Sequence, residues 1–310
     1  MSKINSQIYR AQCFGNIEPI EYMVPYPNLR SLVVGQCIKF SENCLFQDLN
    51  MTNGEFLKQI NKTANWLIQK GIQKDNRLLV YGLASPKMEI LSYAIWSIGA
   101  LLVIINDYDL EFELTVEQIN PELIIDKISK KDISEIQNQS SEYQEICNIQ
   151  LYDDAIIYFK NERGIRLSHY NLLINTYGLL KYLNILHSDI LNIDIPNNTT
   201  AAIVLKTILP LYAGTSVTNN SAKIKFGTDE KSDYQIVIDW NKLENTNPQS
   251  LYVLPEATAI LAIGATPNHL IAIDETENYL IINGHSVMQG YLNKHQNEAA
   301  FKSGSLKISK

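Results

Sequence analysis

Arginine is scarce: Arg10, Arg30, Arg77, Arg163 and Arg166 are all that 310 residues contain. A surface that neutralises nucleic-acid phosphates gathers Lys and Arg on one face, so five scattered arginines exclude that class. The densest basic run, KISKK at 127–131, is short and sits between polar segments, the pattern of a solvated loop. Cysteine is scarce too. Cys13, Cys37, Cys44 and Cys147 show no CxxC spacing and no histidine nearby, so no zinc site is expected and isolated thiols suit a reducing cytoplasm. No apolar run approaches the roughly 20 residues of a membrane helix, and MSKINSQIYR has no signal-peptide apolar segment. Neither a membrane nor a nucleic acid is among the expected partners. His187, His269, His285 and His295 are scattered without metal-ligand spacing, and no G-x-S-x-G elbow occurs.

What is present is an ordinary globular composition, 45% apolar and 19% charged with a net charge of -7, enough for a sizeable core. Thr52 with Glu55 forms a capping box that opens a helix carrying Phe56, Leu57, Ile60, Ala64, Leu67 and Ile68 at helical spacing, closed by Gly71. LLVYGLA is a strand apolar on both faces, and Ser85-Pro86 reads as the cap and first turn of a second helix. LLVII at 101–105 and ELIID at 122–126 continue the pattern, which predicts a parallel sheet covered on both sides. AIIYF, a long helix from about Ser168 to Leu183, ILNIDI and a helix over 200–212 follow. The leucines of the 167–183 helix read as sheet-facing core, and His169 in its first turn as a surface residue. Beyond residue 215 come the short strands KIKF, YQIVID, LYVL, TAILAIG, HLIAID and NYLIING. The expected fold is α/β, layered mostly parallel sheets with covering helices over 1–214, passing into a β-rich part over 215–310. QNQSSEYQE at 137–145 is the best linker or loop candidate.

In order, these segments resemble the large N-terminal domain of the adenylate-forming superfamily, which holds acyl-CoA synthetases and the adenylation domains of peptide synthetases. GEFLKQINKTANWLIQKGIQKDNRLLVYGLASPKMEILSYAIWSIGALLVIIND is similar to the family's opening elements. NYLIINGHSVMQGYLNKHQNEAAFKSG is similar to its G-x-x-x-x-GYL segment, and LYVLPEATA at 251–259 to its Y-G-x-T-E motif. The resemblance implies ATP and magnesium as cofactors, if the site is retained. It puts Tyr252 at the adenine-stacking position and Glu256 at the magnesium position, with Thr258 beside them.

The same comparison exposes gaps. Pro255 stands where the family has a threonine that bonds the α-phosphate; proline offers neither hydroxyl nor N–H. The family's Thr/Ser/Gly-rich phosphate loop wraps amides around an anion. Between DDAIIYF and LSHYNLL this chain has only KNERGIR, whose Lys160, Arg163, Gly164 and Arg166 form a degenerate phosphate loop without Ser or Thr. The bland reading of that stretch is a solvated turn. SGSLKISK puts Lys310, or in a second match Ser305, where the family's ribose-binding aspartate belongs; Asp274 is the last aspartate. The small C-terminal lid domain with the catalytic lysine has no counterpart before residue 310. The resemblance thus implies a catalytically degenerate domain kept for binding or as a scaffold, its partner a carrier protein or an active ligase. Two alternatives stay open: an ATP-dependent carboxylate-activating ligase with its lid supplied in trans, and a sensor of an organic acid.

Overall fold

The structure, a computed structural model, describes residues 3–19, 24–240, 242–243 and 247–309. Helices α1 (Lys3–Gln12) and α2 (Leu29–Lys39) precede the paired β1 (Cys44–Phe46) and β2 (Met51–Thr52). The Thr52–Glu55 capping box then starts α3 (Asn53–Gln69). An alternating run follows: β3 (Arg77–Val80), α4 (Lys87–Ile98), β4 (Leu101–Ile105), α5 (Tyr108–Ile119), β5 (Leu123–Ile125) and α6 (Lys130–Gln137). Next come β6 (Asp154–Lys160), β7 (Arg163–Ser168), α7 (His169–Leu180) and β8 (Ile190–Asp194). The expected helix near 200–212 is a composite of α8 (Thr200–Ala202), a π-helical turn at Ile203–Ile208, and α9 (Leu209–Ala213). Pro210 lacks the N–H that an α-helix would direct at residue 206, which accounts for the wider turn. The remainder comprises β9 (Ser216–Val217), β10 (Ile224–Gly227), β11 (Tyr234–Val237), β12 (Ser250–Val253), a 3₁₀ turn at Pro255–Ala257, β13 (Ile260–Ile263), β14 (Thr266–Pro267), β15 (Ile271–Glu275), β16 (Tyr279–Gly284), β17 (Gly290–Tyr291), α10 (Lys294–Ala300), β18 (Phe301–Lys302) and β19 (Ser305–Ser309).

Three sheets form. The six-stranded one has the order β17-β7-β6-β4-β3-β5, with β6, β4, β3 and β5 parallel and β7 and β17 antiparallel. The nine-stranded one runs β14-β13-β12-β11-β10-β8-β9-β1-β2, parallel from β12 to β1 and drawing strands from both sides of Gly214. A four-stranded antiparallel sheet, β15-β16-β19-β18, makes the β-rich end. This is the layered α/β architecture with a β-rich C-terminal part that the apolar runs predict.

Strand periodicity explains why the six-stranded sheet is buried on both faces. Leu78, Val80, Leu102, Ile104, Ile156 and Tyr158 point into the main core, which also receives α2, α3, α4 and α7. Their neighbours Leu79, Val103, Ile105, Ile157 and Phe159 form a second cluster, closed by Phe112, Val116 and Ile119 of α5. Alternate residues thus serve opposite faces, and both faces must be apolar. Trp96 is fully buried and its indole N–H donates to Ala155 O at 2.9 Å, tying α4 to β6.

Local expectations are refined or changed. The 137–145 stretch is, after Gln137, the expected loop and not a free linker: Asn61 Nδ2 donates to Ser141 O and Asn65 Nδ2 to Ser140 O, while Tyr143 Oη donates to Ser97 O. Those bonds pin it along α3 and α4. KISKK is not wholly a loop, because Ser129 and Asp132 build a capping box that starts α6 at Lys130. Helix α4 begins at Lys87, after a cis Ser85–Pro86 bond, so Ser85 is not its cap.

Candidate functional site

A cleft of about 660 Å³ opens where the β6–β7 tip, the end of β12 with its 3₁₀ turn, the Ile238–Trp240 segment and the β17–α10–β19 region meet. Lys160 and Arg163 reach it from the hairpin, Pro255 and Glu256 from the turn, Trp240 from the segment after β11, and Lys307 from β19. All three chain regions singled out by the sequence converge on one cavity, the third through Lys307 and Ser309; Lys310 lies outside the described residues. Ser305 points elsewhere, its hydroxyl donating to Asn283 Oδ1 at 2.8 Å.

KNERGIR is most of a β-hairpin, and the expected solvated turn is confined to its exposed Asn161-Glu162 tip. Lys160 pairs with Arg163, Phe159 with Gly164 and Ile157 with Arg166. Asn161 and Glu162 alone make the turn, with φ of 51° and 61°, as a tight two-residue hairpin turn requires. Its Glu162 N–H already has an anionic acceptor, Glu111 Oε1 at 3.1 Å. Gly164 is there for packing: a Cβ would stand 2.5 Å from Leu292 Cδ1. Arg166 is held by Asp154, Nε to Oδ2 at 2.7 Å, and does not line the cleft. Among the residues of the degenerate loop, Lys160 and Arg163 are the cleft's cations.

Glu256 sits at the cleft wall, 9% exposed, with Oε1 accepting the Tyr291 hydroxyl at 3.1 Å. Tyr291 is buried on β17, and the Arg163 guanidinium lies 5.8 Å from its ring centroid. Burial, reinforced by the Glu256 charge, raises the Tyr291 hydroxyl above the ordinary phenol range. Tyr252 is 5% exposed, packs edge-on against Trp240 at 5.4 Å and does not line the cleft. Trp240 and Tyr291 are the aromatics lining the cavity, and Trp240 is fixed by its indole N–H to Val253 O at 2.9 Å. Sequence reasoning passed over it because only the tertiary fold brings the end of β11 to β12. Thr258 is fully buried, and its hydroxyl donates to Ser286 O at 2.6 Å. Among the described residues, no three His, Cys, Asp or Glu side chains come together as a metal cluster.

With this geometry in view, comparison with known proteins becomes specific. The AMP-binding enzyme family model matches residues 38–163. The N-terminal domain of FACL13 from Mycobacterium tuberculosis superposes with a TM-score of 0.75 at 13% identity, covering 91% of this chain and 95% of that one. Unliganded O-succinylbenzoate coenzyme A synthetase from Bacillus subtilis gives 0.74 at 15% identity, over 91% of this chain and 75% of the synthetase. A long-chain-fatty-acid-CoA ligase from Archaeoglobus fulgidus gives 0.72 at 15%, over 93% and 82%. The fold is the one these three ligase structures share. No curated protein matches the sequence.

At the positions the resemblance assigns to nucleotide binding, the hairpin's turn amide is engaged by Glu111, Pro255 supplies no donor, and Glu256 Oε1 accepts the Tyr291 hydroxyl while the side chain lines the cleft. The superfamily-like helix start after the hairpin is intact as structure: Ser168 and Asn171 form a capping box on α7. His169 in that first turn is not a surface residue. It is 1% exposed, and the Leu29 N–H donates to its Nδ1 at 3.4 Å. Burial pushes its pKa down to about 4 against the help of Asp153. The folded state therefore refuses a proton that the unfolded chain accepts below its ordinary value of about 6.5. Stability is fully present above that value and is lost as the pH falls towards the folded pKa. The expected loss is about 3 kcal/mol, read as the extra drop in urea-unfolding free energy of wild type relative to His169→Gln between pH 7 and pH 4. Parallel pH profiles for the two proteins would contradict it.

Proposed function

We propose that this chain is a catalytically degenerate adenylate-forming domain, retained to bind a ligand or scaffold a partner rather than to activate carboxylates with ATP. The observation that carries this reading is the hairpin turn: the amide that a phosphate would need already donates to Glu111. Adenylation rests on donors preorganised around the α-phosphate, and losing even one such donor costs ~10²–10³ in rate. Here the hairpin's turn amide, taken by Glu111, and the hydroxyl at position 255 are lost together, so turnover falls below any useful level. The partner of a scaffold of this kind is a carrier protein or an active ligase.

A titration calorimetry experiment with ATP and magnesium, run beside carboxylate-dependent ATP–pyrophosphate exchange, tests this. No heat up to millimolar ATP and no exchange are the expected results. Micromolar magnesium-dependent binding that Glu256→Ala abolishes would overturn the reading and restore the ligase alternative, with the lid supplied in trans. A second reading, an organic-acid sensor, is favoured by one feature: Lys160, Arg163 and Lys307 face the same cleft as Trp240, cations beside an aromatic wall. Its signature is stabilisation by an aryl carboxylate such as benzoate with no ATP present.

A further inference from the structure

A second, smaller cavity of about 110 Å³ lies between the start of α4, the end of β8 and the π-helical turn. Phe46, Leu49, Pro86, Ile193 and Val217 give it apolar walls. Three charged side chains line it, and two of them are already committed. Asp48 accepts from the Thr218 hydroxyl, the Asn219 N–H and Asn220 Nδ2, all within 2.7 Å. Lys206 Nζ donates to Ile195 O at 2.7 Å and to Asn197 Oδ1 at 2.6 Å. Glu89 is different. It is 3% exposed, Ser85 hydrogen-bonds its carboxyl, and yet Oε2 has no hydrogen-bond partner. An orphaned buried carboxyl oxygen is destabilising, and native structures nearly always complete such groups.

We propose that this cavity is a binding site for a small primary ammonium compound. Its N–H groups complete Glu89 Oε2, and its short alkyl stem lies against Phe46, Ile193 and Val217. Charge selects the cation. Glu89 and Asp48 face one Lys206, whose own charge is further balanced by Asp194, so a carboxylate ligand would meet two like charges. Burial raises the Glu89 pKa, and a cation at hydrogen-bond distance favours its ionised form. Size selects a short stem. A cavity of about 150 Å³ accepts benzene, so this one takes roughly four or five non-hydrogen atoms. Nothing in this inference depends on the fate of ATP in the larger cleft.

The test is a titration of the full chain, followed by backbone amide NMR shifts, with n-propylammonium chloride, sodium propionate and 1-propanol as size-matched probes. Propylammonium is expected to bind at least tenfold more tightly than the other two, with the largest shifts at Glu89, Lys206 and Val217. Glu89→Gln is expected to weaken it at least tenfold. Should that variant fail to fold, Val217→Phe fills the cavity from its rim and is expected to remove binding from a folded protein. Equal binding of the three probes, or unchanged binding in folded Val217→Phe, overturns the proposal. So does a crystal grown with propylammonium in which only an ordered water meets Glu89 Oε2.

Discussion

Gly284→Ala is expected to cost about 3–5 kcal/mol, as the sum of backbone strain and overpacking that cannot relax. Gly284 ends β16 at φ 135°, opposite Ile271. A Cβ there would stand 2.0 Å from Leu270 O and 2.9 Å from Ile271 Cα. Both obstacles are backbone atoms, and Leu270 O is fixed by the His285 N–H at 3.0 Å, so no side chain can swing aside. Gly71 provides the control. Its φ is 92°, but a Cβ there meets nothing within 4 Å, so Gly71→Ala is expected to cost only about 1 kcal/mol of backbone strain. Urea unfolding of both variants measures the contrast. A Gly284→Ala midpoint within the range of Gly71→Ala would show that the 284–288 crossing gives way more easily than its packing indicates.

That crossing also marks where sequence reading succeeded and where it could not. The α3 capping box, the doubly buried β3 and β4, and the start of α7 were legible because each is written in residues close along the chain: Thr52 with Glu55, unbroken apolar runs, Ser168 before an apolar helix. The C-terminal strands were legible from their turn residues. The β6–β7 hairpin was not. Its turn is Asn161-Glu162 without glycine, and glutamate at positive φ carries no sequence signal. Arg163 and Arg166 then conceal a strand whose partner Leu292 and bridging Asp154 lie in other segments. The aromatic expected from LYVLPEATA was misplaced for a simpler reason. LYVLPEATA gives no indication of which way Tyr252 faces, and Trp240 reaches the cavity from a separate strand end. The Glu111 carboxylate on the Glu162 amide spans 51 residues, so no local pattern could announce it.

Asn175→Ala is expected to cost about 3–5 kcal/mol, and the reason bears on why LPEATA keeps its shape. Asn175 is fully buried on α7. Its Nδ2 donates to Ala257 O at 3.3 Å, Ile260 O at 2.9 Å and Ser286 Oγ at 3.2 Å, and its Oδ1 accepts the Ile260 N–H at 3.1 Å. One helical turn earlier, Asn171 Nδ2 bonds His285 O and Val287 O. The two asparagines thus clamp both the turn after Pro255 and the 285–287 crossing onto one face of α7. Ile260 O keeps a second donor in Asn268 Nδ2 at 3.0 Å and Ala257 O keeps the Ala259 N–H at 3.0 Å, but the Ile260 N–H would lose the partner Asn175 supplies. That stranded buried group costs about 1–3 kcal/mol and each other lost bond about 0.5–1.5 kcal/mol, and the vacated side-chain volume adds to that. Glu256→Ala makes the milder case: it faces the cleft and removes one bond, from the buried Tyr291 hydroxyl, so about 1–3 kcal/mol is expected, less than the combined loss at Asn175. Chemical denaturation of both variants decides between two origins for the motif. A large loss at Asn175 beside a small one at Glu256 means the fold itself maintains the turn, with no nucleotide needed to explain it. The reverse order would mean that the Glu256 carboxylate, the group a magnesium nucleotide would use, holds the turn in place.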